Sequence, residues 1–301
     1  MCWKSLATGS ANGASDKMDT EFFKELDKFT LLMRKRVSTA YTGAQRSHLV
    51  GRGISPVGYR EYRKGDDFKL VDWKVYGRRE KLYVREHEEE KSLVVHILVD
   101  SSASMGYGSK FSFASKLAAG FAYLATRENE KFSISLFQEG LEPSEAKRGR
   151  SYLFQSIEEL DGTLPGGRTN IKRATGQFEQ LIRSTSLVVL ISDLLDDIEG
   201  VVTSIYRLSS HDLILIQVLD KDEIDFNFDG DARFIDMESS SPIVTRVDKR
   251  VRDEYRELLV AHNRRIAATC QSVGVDFFSF TTDKPIFDAI FDVCSRVKTW
   301  R

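Results

Sequence analysis

The chain has 301 residues, 30% of them charged and 41% hydrophobic, and its formal net charge at pH 7 is −1. A chain of this length can bury a full-sized core, and so small a net charge gives no electrostatic reason for nucleic acid or an anionic membrane as the main partner. The three cysteines form no Cys-x-x-Cys pair and the sequence has no apolar run of about 20 residues, so we expect no structural zinc, disulfide scaffold or membrane-spanning helix, and predict a cytoplasmic protein.

The first 92 residues predict three kinds of segment. Residues 1–17 are rich in Ser, Ala and Gly, which is typical of a flexible tail. Residues 18–36 carry apolar side chains at helical spacing and predict a helix. Glycines, aromatics and charges dominate residues 43–90, with strand-like pieces near Tyr59–Tyr62 and Leu82–Glu86. We therefore assign 1–17 to a tail, 18–92 to a helix with a small β-rich appendage, and 93–301 to the main domain.

The main domain alternates strands with helices. It opens on an almost continuous β-branched run, Leu93–Asp100, which predicts a central parallel strand buried on both faces. Further strands are predicted at Lys131–Phe137, Ser186–Ser192, Leu213–Leu219 and Val275–Phe280. Helices are predicted at Lys110–Arg127, Ser151–Leu160, Ile198–Leu208, Val247–Ser272 and Pro285–Val297, and one more follows the loop 161–170 and ends at about Arg183. Residues 221–245 are predicted to form an excursion, read as a hairpin. This order predicts an α/β fold with a doubly wound, mainly parallel sheet.

Oxygen-bearing side chains follow three of the predicted elements in this domain. Because loops after parallel strands open on one edge of a doubly wound sheet, we expect these side chains to converge. Two carboxylates and three hydroxyls are hard oxygen donors, which suit Mg²⁺ or Mn²⁺. The predicted metal ligands are Asp100, Ser102, Ser104, Thr169 and Asp193. Their low total charge would leave the cation electron-poor, so that an open coordination position would favour a carboxylate from outside.

The same residues have a simpler explanation as helix caps. Serine and aspartate favour N-cap positions, so the run 100–104, Asp193, and Thr169 or Asn170 could each begin a helix. Any one of these pieces alone is more often a cap than a ligand. Three pieces in the right order on separate loops favour a cation site.

A metal-dependent hydrolase is the alternative function that uses the same cation. It needs a general base near the metal, and the sequence offers only Asp196 or Asp197. A carboxylate-nucleophile phosphatase would need a second acidic residue where Ser102 stands, and a Gly-x-Ser-x-Gly elbow is missing from the sequence. His96, in the middle of a predicted strand, is read as a packed imidazole. We therefore predict a protein that is not an enzyme.

The appendage interleaves aromatic and basic residues between Tyr59 and Arg85, a composition seen in nucleic-acid-binding surfaces. Acidic residues dilute the basic ones throughout, and a dominant phosphate contact needs an undiluted basic surface. An aromatic-packed minidomain with internal ion pairs is therefore favoured over nucleic-acid binding.

The pattern Asp100-x-Ser102-x-Ser104, with Thr169 after glycines and Asp193 after an apolar strand, resembles the metal-ion-dependent adhesion site of von Willebrand factor A domains. In that family a partner's Asp or Glu completes the cation's coordination shell. Leu194 stands where many members carry glycine, a departure that affects the shape of the loop and not the ligands.

A second resemblance covers residues 43–297. Tyr59-Arg-Glu-Tyr62, Gly65-Asp66-Asp67, Val71-Asp72-Trp73-Lys74 and Arg78 are similar to the signature of the bacterial DUF58 family, which precedes a von Willebrand factor A-like domain. Members are typically encoded beside MoxR-type AAA+ ATPases, which implies an adaptor or chaperone-like partner of such an ATPase. In the appendage, Arg63, Asp66, Asp67, Asp72 and Trp73 would then serve as scaffold or as a second contact surface.

Overall fold

The computed structural model describes residues 22–28, 58–62, 71–79, 81–86, 93–182, 184–238 and 241–297. They fall into two compact units. The described residues between 58 and 86 form the smaller unit, and residues 22–28 together with the chain from Leu93 onward form the larger. Within these ranges, no helix is both long enough and apolar enough to cross a membrane.

The smaller unit is a two-stranded antiparallel sheet with a helix between its strands. Its elements are β1 (Gly58–Glu61), α2 (Trp73–Arg79) and β2 (Tyr83–Glu86), α1 being the helix at 22–28. Asp72 joins helix to sheet, because its N–H donates to the carbonyl of Tyr83 (2.9 Å) and its Oδ1 accepts from the N–H of Val75 (3.3 Å). Both strands agree with the sequence analysis, which did not predict α2.

The larger unit is built on a six-stranded sheet, with a separate hairpin after its fourth long strand. The strands are β3 (Val94–Asp100), β4 (Lys131–Phe137), β5 (Leu141–Glu142), β6 (Leu187–Ser192), β7 (Asp212–Leu219), β8 (Gly230–Ile235), β9 (Pro242–Val247) and β10 (Asp276–Thr281). The order in the sheet is β10-β7-β6-β3-β4-β5, parallel throughout except for β5. From β3 the chain first adds β4 and β5 on one side of the sheet and then adds β6, β7 and β10 on the other side. The predicted doubly wound, mainly parallel α/β fold is confirmed.

Helices cover both faces of this sheet. The covering helices are α3 (Lys110–Arg127), α4 (Arg150–Gly162), α5 (Ile171–Leu181), α6 (Ile198–Leu208), α8 (Lys249–Val273) and α9 (Ile286–Arg296), while the short helix α7 (Lys221–Asp225) follows β7. Side chains along β3 point alternately to the two faces of the sheet and belong to two apolar clusters. Val95 and Ile97 lie in the cluster that includes α3 and α9, and Leu98 lies in the cluster that includes α5, α6 and α8. A strand covered on both faces needs a largely apolar sequence, and β3 is apolar except for His96 and the terminal Asp100.

Helix α1 belongs to the larger unit. Leu26 is fully buried in the cluster beneath α3, and the ring of Phe22 stacks on Phe287 of α9 with centroids 5.7 Å apart. The sequence analysis grouped this helix with the appendage, because its apolar stripe shows that it packs on something but not on what.

The predicted excursion contains the short helix α7 and the antiparallel hairpin β8–β9. The hairpin carries a small apolar cluster of its own, in which Phe226, Phe234 and Val247 are buried and Tyr255 of α8 stacks on Phe226 at 4.3 Å. This cluster fixes the hairpin above the start of α8.

Candidate metal centre

The carboxyl ends of β3 and β6 bring the two predicted carboxylates together. These strands are parallel neighbours, with Val99 opposite Ile191. Asp100 is the last residue of β3, and Asp193 follows Ser192 at the end of β6. Since the ends of neighbouring parallel strands meet at one edge, both aspartates lie at the edge where such sheets place their ligands.

Asp100 is fully buried and both of its oxygens accept hydrogen bonds. The N–H of Ser102 donates to Oδ1 (2.9 Å) and the hydroxyl of Ser192 donates to Oδ2 (2.6 Å). Burial, and then the negative charge of Asp193, raise the pKa of Asp100 from 3.8 to about 7. The carboxylate therefore needs a positive charge nearby to remain ionised at neutral pH.

The two predicted serines connect the aspartates. The hydroxyl oxygens of Ser102 and Ser104 lie 3.1 Å apart, and the hydroxyl of Ser104 hydrogen-bonds to the carboxylate of Asp193. Both serines are buried. Four of the five predicted ligands, Asp100 included, thus form one continuous hydrogen-bonded cluster.

The N-caps of α5 and α6 are residues close to the predicted ligands and not the ligands themselves. Asn170, and not Thr169, caps α5 by accepting a backbone N–H at 2.9 Å. Asp197, and not Asp193, caps α6 in the same way at 3.0 Å. The start of α3 and the 3₁₀ turn before it have no side-chain cap. The predicted ligands are therefore not needed as caps for these helices.

The loop before α5 is held against the loop that follows β3. The N–H of Gly166 donates to the carbonyl of Ser101 (2.9 Å), and the N–H of Ala103 donates to the carbonyl of Gly167 (3.0 Å). Gly167 has φ of +74°, a conformation that glycine adopts without strain. These contacts hold the loop that carries Thr169 against the loop that carries Ser102 and Ser104.

Thr169 itself contacts a residue that the sequence analysis did not identify. Its hydroxyl donates to Oε1 of Glu238 (2.9 Å), and its N–H donates to the same oxygen (3.2 Å). Glu238 lies in the turn between β8 and β9. No pattern in the sequence links two residues that are 69 positions apart and lie on unrelated loops.

A buried lysine is the second unpredicted component. Lys110 is fully buried, and its Nζ donates to Oδ2 of Asp193 (3.0 Å) and to Oε1 of Glu223 (2.7 Å). Although burial opposes its charged form, the two carboxylates raise the pKa of Lys110. Burial alone would raise the pKa of Asp193, but the Lys110 charge and the hydrogen bonds from Ser104 and the Leu195 N–H lower it.

The charge balance of the cluster fits a divalent cation. Three carboxylates, those of Asp100, Asp193 and Glu223, are buried here, and the Lys110 ammonium pairs with two of them, Asp193 and Glu223. Glu223 has a raised pKa, chiefly because it is buried, so the ammonium does not compensate all three. Among the described residues, no three His, Cys, Asp or Glu side chains are arranged to hold a metal, so a cation here depends on the hydroxyls as well as the carboxylates. Such an oxygen-only donor set suits Mg²⁺ or Mn²⁺.

Leu194 has a positive backbone φ angle, a conformation that glycine adopts more easily than leucine. Its φ is +56°, where a bulky side chain is strained, although the side chain itself is fully buried. The hydroxyl of Ser192 accepts the N–H of Leu194 (3.0 Å), and the ring of His262 lies 2.8 Å from the Leu194 carbonyl. These contacts and the apolar cluster hold the turn that orients Asp193.

The remaining candidates have structural roles where the structure describes them. Asp196 accepts the N–H of Ile171 (3.2 Å) and Asp197 caps α6, so each acidic side chain is already engaged with the backbone. His96 packs against Phe178 and lies 2.8 Å from the hydroxyl of Ser133. In the appendage, Asp72 is buried and Trp73 is 58% exposed, while the candidates at positions 63, 66 and 67 lie outside the described residues.

Comparison with known proteins places the chain in a family. It matches the family described as "Protein of unknown function DUF58" over residues 58–265, and therefore belongs to that family. An uncharacterized protein of Mycobacterium bovis, Mb1516, is 25% identical over 288 residues, which cover 92% of this chain and 90% of the relative. The family description assigns no activity.

Solved structures give partial overlaps. The conserved hypothetical protein BatB of Bacteroides thetaiotaomicron has 14% identity and a TM-score of 0.44, over 69% of this chain and 99% of that one. The vWF domain of the type V pili tip protein Mfa5 of Porphyromonas gingivalis has 11% identity and a TM-score of 0.36, over 68% and 96% respectively. TM-scores this low carry no functional conclusion.

Proposed function

We propose that this protein is a non-enzymatic, divalent-cation-dependent protein-binding module of the cytoplasm. Mg²⁺ or Mn²⁺ would be held by the predicted ligands Asp100, Ser102, Ser104, Thr169 and Asp193. A protein partner would supply an Asp or Glu carboxylate to the same cation. The buried, hydrogen-bonded cluster of two aspartates and two serines, with more negative than positive charge, is the observation that supports this proposal most directly.

In such a site, residues around the aspartates would orient the two carboxylates towards the cation. A bound cation would supply positive charge and an open position for a carboxylate. Ser192 and the N–H of Ser102 fix the orientation of the Asp100 carboxylate, and Lys110 fixes that of Asp193. Burial lowers the local dielectric constant, so that charge attraction at the site is stronger than in water.

The family resemblance adds a specific partner to the proposal. We propose that the carboxylate belongs to a MoxR-type AAA+ ATPase or to a protein on which that ATPase acts. The protein would then serve as an adaptor that joins its partner only when the cation is bound.

A binding experiment with three proteins tests this function. The wild type, Asp100→Ala, and the control Asp276→Ala are immobilised and exposed to the MoxR-type ATPase of the same organism, in Mg²⁺ and in EDTA. Asp276 is exposed and begins β10, at the opposite edge of the sheet. We expect the wild type and the control to bind in Mg²⁺ only, and Asp100→Ala to lose binding by at least about tenfold.

Thermal melting of each variant shows whether the fold survives. Because Asp100 is fully buried, Asp100→Asn provides a second variant of almost unchanged shape. Equal binding of a folded Asp100 variant and the wild type, or equal binding in Mg²⁺ and EDTA, would refute cation-dependent capture.

A further inference from the structure

Strand β10 forms one edge of the six-stranded sheet, and in the described part of the chain it pairs only with β7. In a parallel ladder, residues whose N–H and carbonyl bond to one neighbour alternate with residues whose groups point the other way. The N–H of Thr282 donates to the carbonyl of Leu219 (3.0 Å), so the backbone groups of Phe278 and Phe280 also point to β7. The residues whose backbone groups point away from the sheet are Phe277, Ser279 and Thr281.

This outward edge of β10 is unprotected. Among the described residues, the single hydrogen bond made by the outward backbone groups is one that the Thr281 carbonyl accepts from the N–H of Lys284 (3.0 Å). Edge strands are commonly protected by proline, lysine or a bulge. The strand Asp276–Thr281 has no proline or lysine, and it pairs with β7 in continuous register without a bulge. Since Ser279 is exposed in the middle of this edge, β10 can accept a further strand.

A second copy of β10 fits this edge in the antiparallel direction. If a two-fold axis passes beside Ser279, each Ser279 lies opposite its counterpart, and Phe277 lies opposite Thr281 of the second copy. Opposite residues of this type exchange backbone hydrogen bonds in an antiparallel ladder. The outward N–H groups of each copy therefore meet outward carbonyls of the other.

The side chains are compatible with the same register. Phe278 lies opposite Phe280 of the second copy, and opposite aromatic side chains stabilise antiparallel sheets. Both rings already belong to the apolar cluster that includes α9, so pairing would join this layer of the two copies. At the ends of the paired segment Asp276 lies opposite Thr282, and like charges do not face each other. The strand is therefore self-complementary in backbone and in side chains.

We propose that two copies of this protein associate through β10, which pairs antiparallel with β10 of the second copy to form one continuous sheet. This inference goes beyond the proposed function and does not depend on a bound cation. Because antiparallel pairing reverses the strand direction, the sheet edges that carry Asp100 and Asp193 point in opposite directions in the two copies. The dimer therefore presents one candidate site at each end, which is the arrangement of a bivalent adaptor.

Ser279→Pro tests this association against a matched control. The Ser279 N–H points away from β7, so proline preserves the bonds to β7 but removes the donor beside the two-fold axis and places a ring there. Ser279→Ala keeps the N–H. Both variants lose the hydrogen bond from the Ser279 hydroxyl to Oε1 of Gln217 (2.9 Å), so the loss of this bond does not distinguish them.

Sedimentation velocity over about a hundredfold range of protein concentration measures the association of the wild type and both variants. We expect the wild type and Ser279→Ala to form dimers. Ser279→Pro, if its circular dichroism matches the wild type, should have a dimer dissociation constant at least about tenfold higher. A wild type that is monomeric throughout would overturn the proposal, and so would equal dimerisation of folded Ser279→Pro and Ser279→Ala.

Oxidative cross-linking keeps the proposal testable if Ser279→Pro does not fold. Opposite residues in a hydrogen-bonded antiparallel pair have Cα atoms about 5.5 Å apart, within the range that a disulfide spans. The test uses a Cys2→Ser background, in which the remaining cysteines Cys270 and Cys294 are buried. Ser279→Cys should form a disulfide-linked dimer under mild oxidation, and the exposed control Ser184→Cys should form far less. Equal cross-linking of the two variants would overturn the proposal.

Discussion

Replacement of Lys110 by methionine tests the charge balance at the site. The methionine side chain is apolar and similar in length, so the change removes the ammonium without leaving a large cavity. Asp193 and Glu223, whose side chains are each 3% exposed, then lose their shared counter-ion. Breaking a buried ion pair by removing one partner costs about 3–5 kcal/mol. A loss of that size is a large part of the roughly 5–15 kcal/mol by which domains are stable.

Urea unfolding followed by circular dichroism measures this loss. Lys249→Met is the matched control, because Lys249 also begins a helix but is exposed. We expect Lys110→Met to lose about 3–5 kcal/mol and the control to change by less than about 0.5 kcal/mol. Adding Glu223→Gln to Lys110→Met should recover part of the loss, since one uncompensated charge disappears. If Lys110→Met were as stable as the control, the buried ammonium would not be balancing these carboxylates.

Three further changes test individual features by the same unfolding assay. Burial lowers the pKa of His96 from 6.5 to about 4, so the folded state binds a proton less readily than the unfolded state. The free energy of unfolding of the wild type should therefore fall by about 2–3 kcal/mol as the pH falls from 6.5 to 4. His96→Gln should reduce this dependence of stability on pH, and an unchanged dependence would contradict the prediction. Leu194→Gly should relieve about 1 kcal/mol of backbone strain but lose about 2–4 kcal/mol of buried packing, for a net destabilisation; a more stable variant would show that strain dominates. Gly167→Ala should lower the free energy of unfolding by about 1–2 kcal/mol, because Gly167 has a positive φ that alanine adopts with strain. The added Cβ would also lie 2.7 Å from Oε1 of Gln138. An unchanged stability would show that this loop adapts to the side chain.

The sequence was most informative where periodicity was strong. The predicted limits of Lys110–Arg127, Lys131–Phe137 and Ile198–Leu208 agree with the structure. Helix Trp73–Arg79 was not predicted, because seven residues that include a glycine are too few for a helical period to stand out. Helix α1 was found, but packing partners far along the chain leave no trace in local periodicity.

The site was predictable where it depends on strand ends. Asp100 and Asp193 follow buried strands, and the parallel sheet brings such ends together. The position of Lys110 does have a signal in the sequence, because Lys110 lies four residues before Ala114 on the buried face of α3. Glu238 left none, because its contact depends on the length and direction of a hairpin that local patterns do not specify.

The separate apolar cluster of the hairpin has a consequence for protein engineering. Phe226, Phe234 and Val247 anchor the hairpin independently of the strands that carry the aspartates. The residues of the turn can therefore be exchanged, shortened or replaced by a foreign loop while the hydrophobic layers of the sheet stay intact. A change confined to this turn would therefore leave the strand ends that carry Asp100 and Asp193 in place.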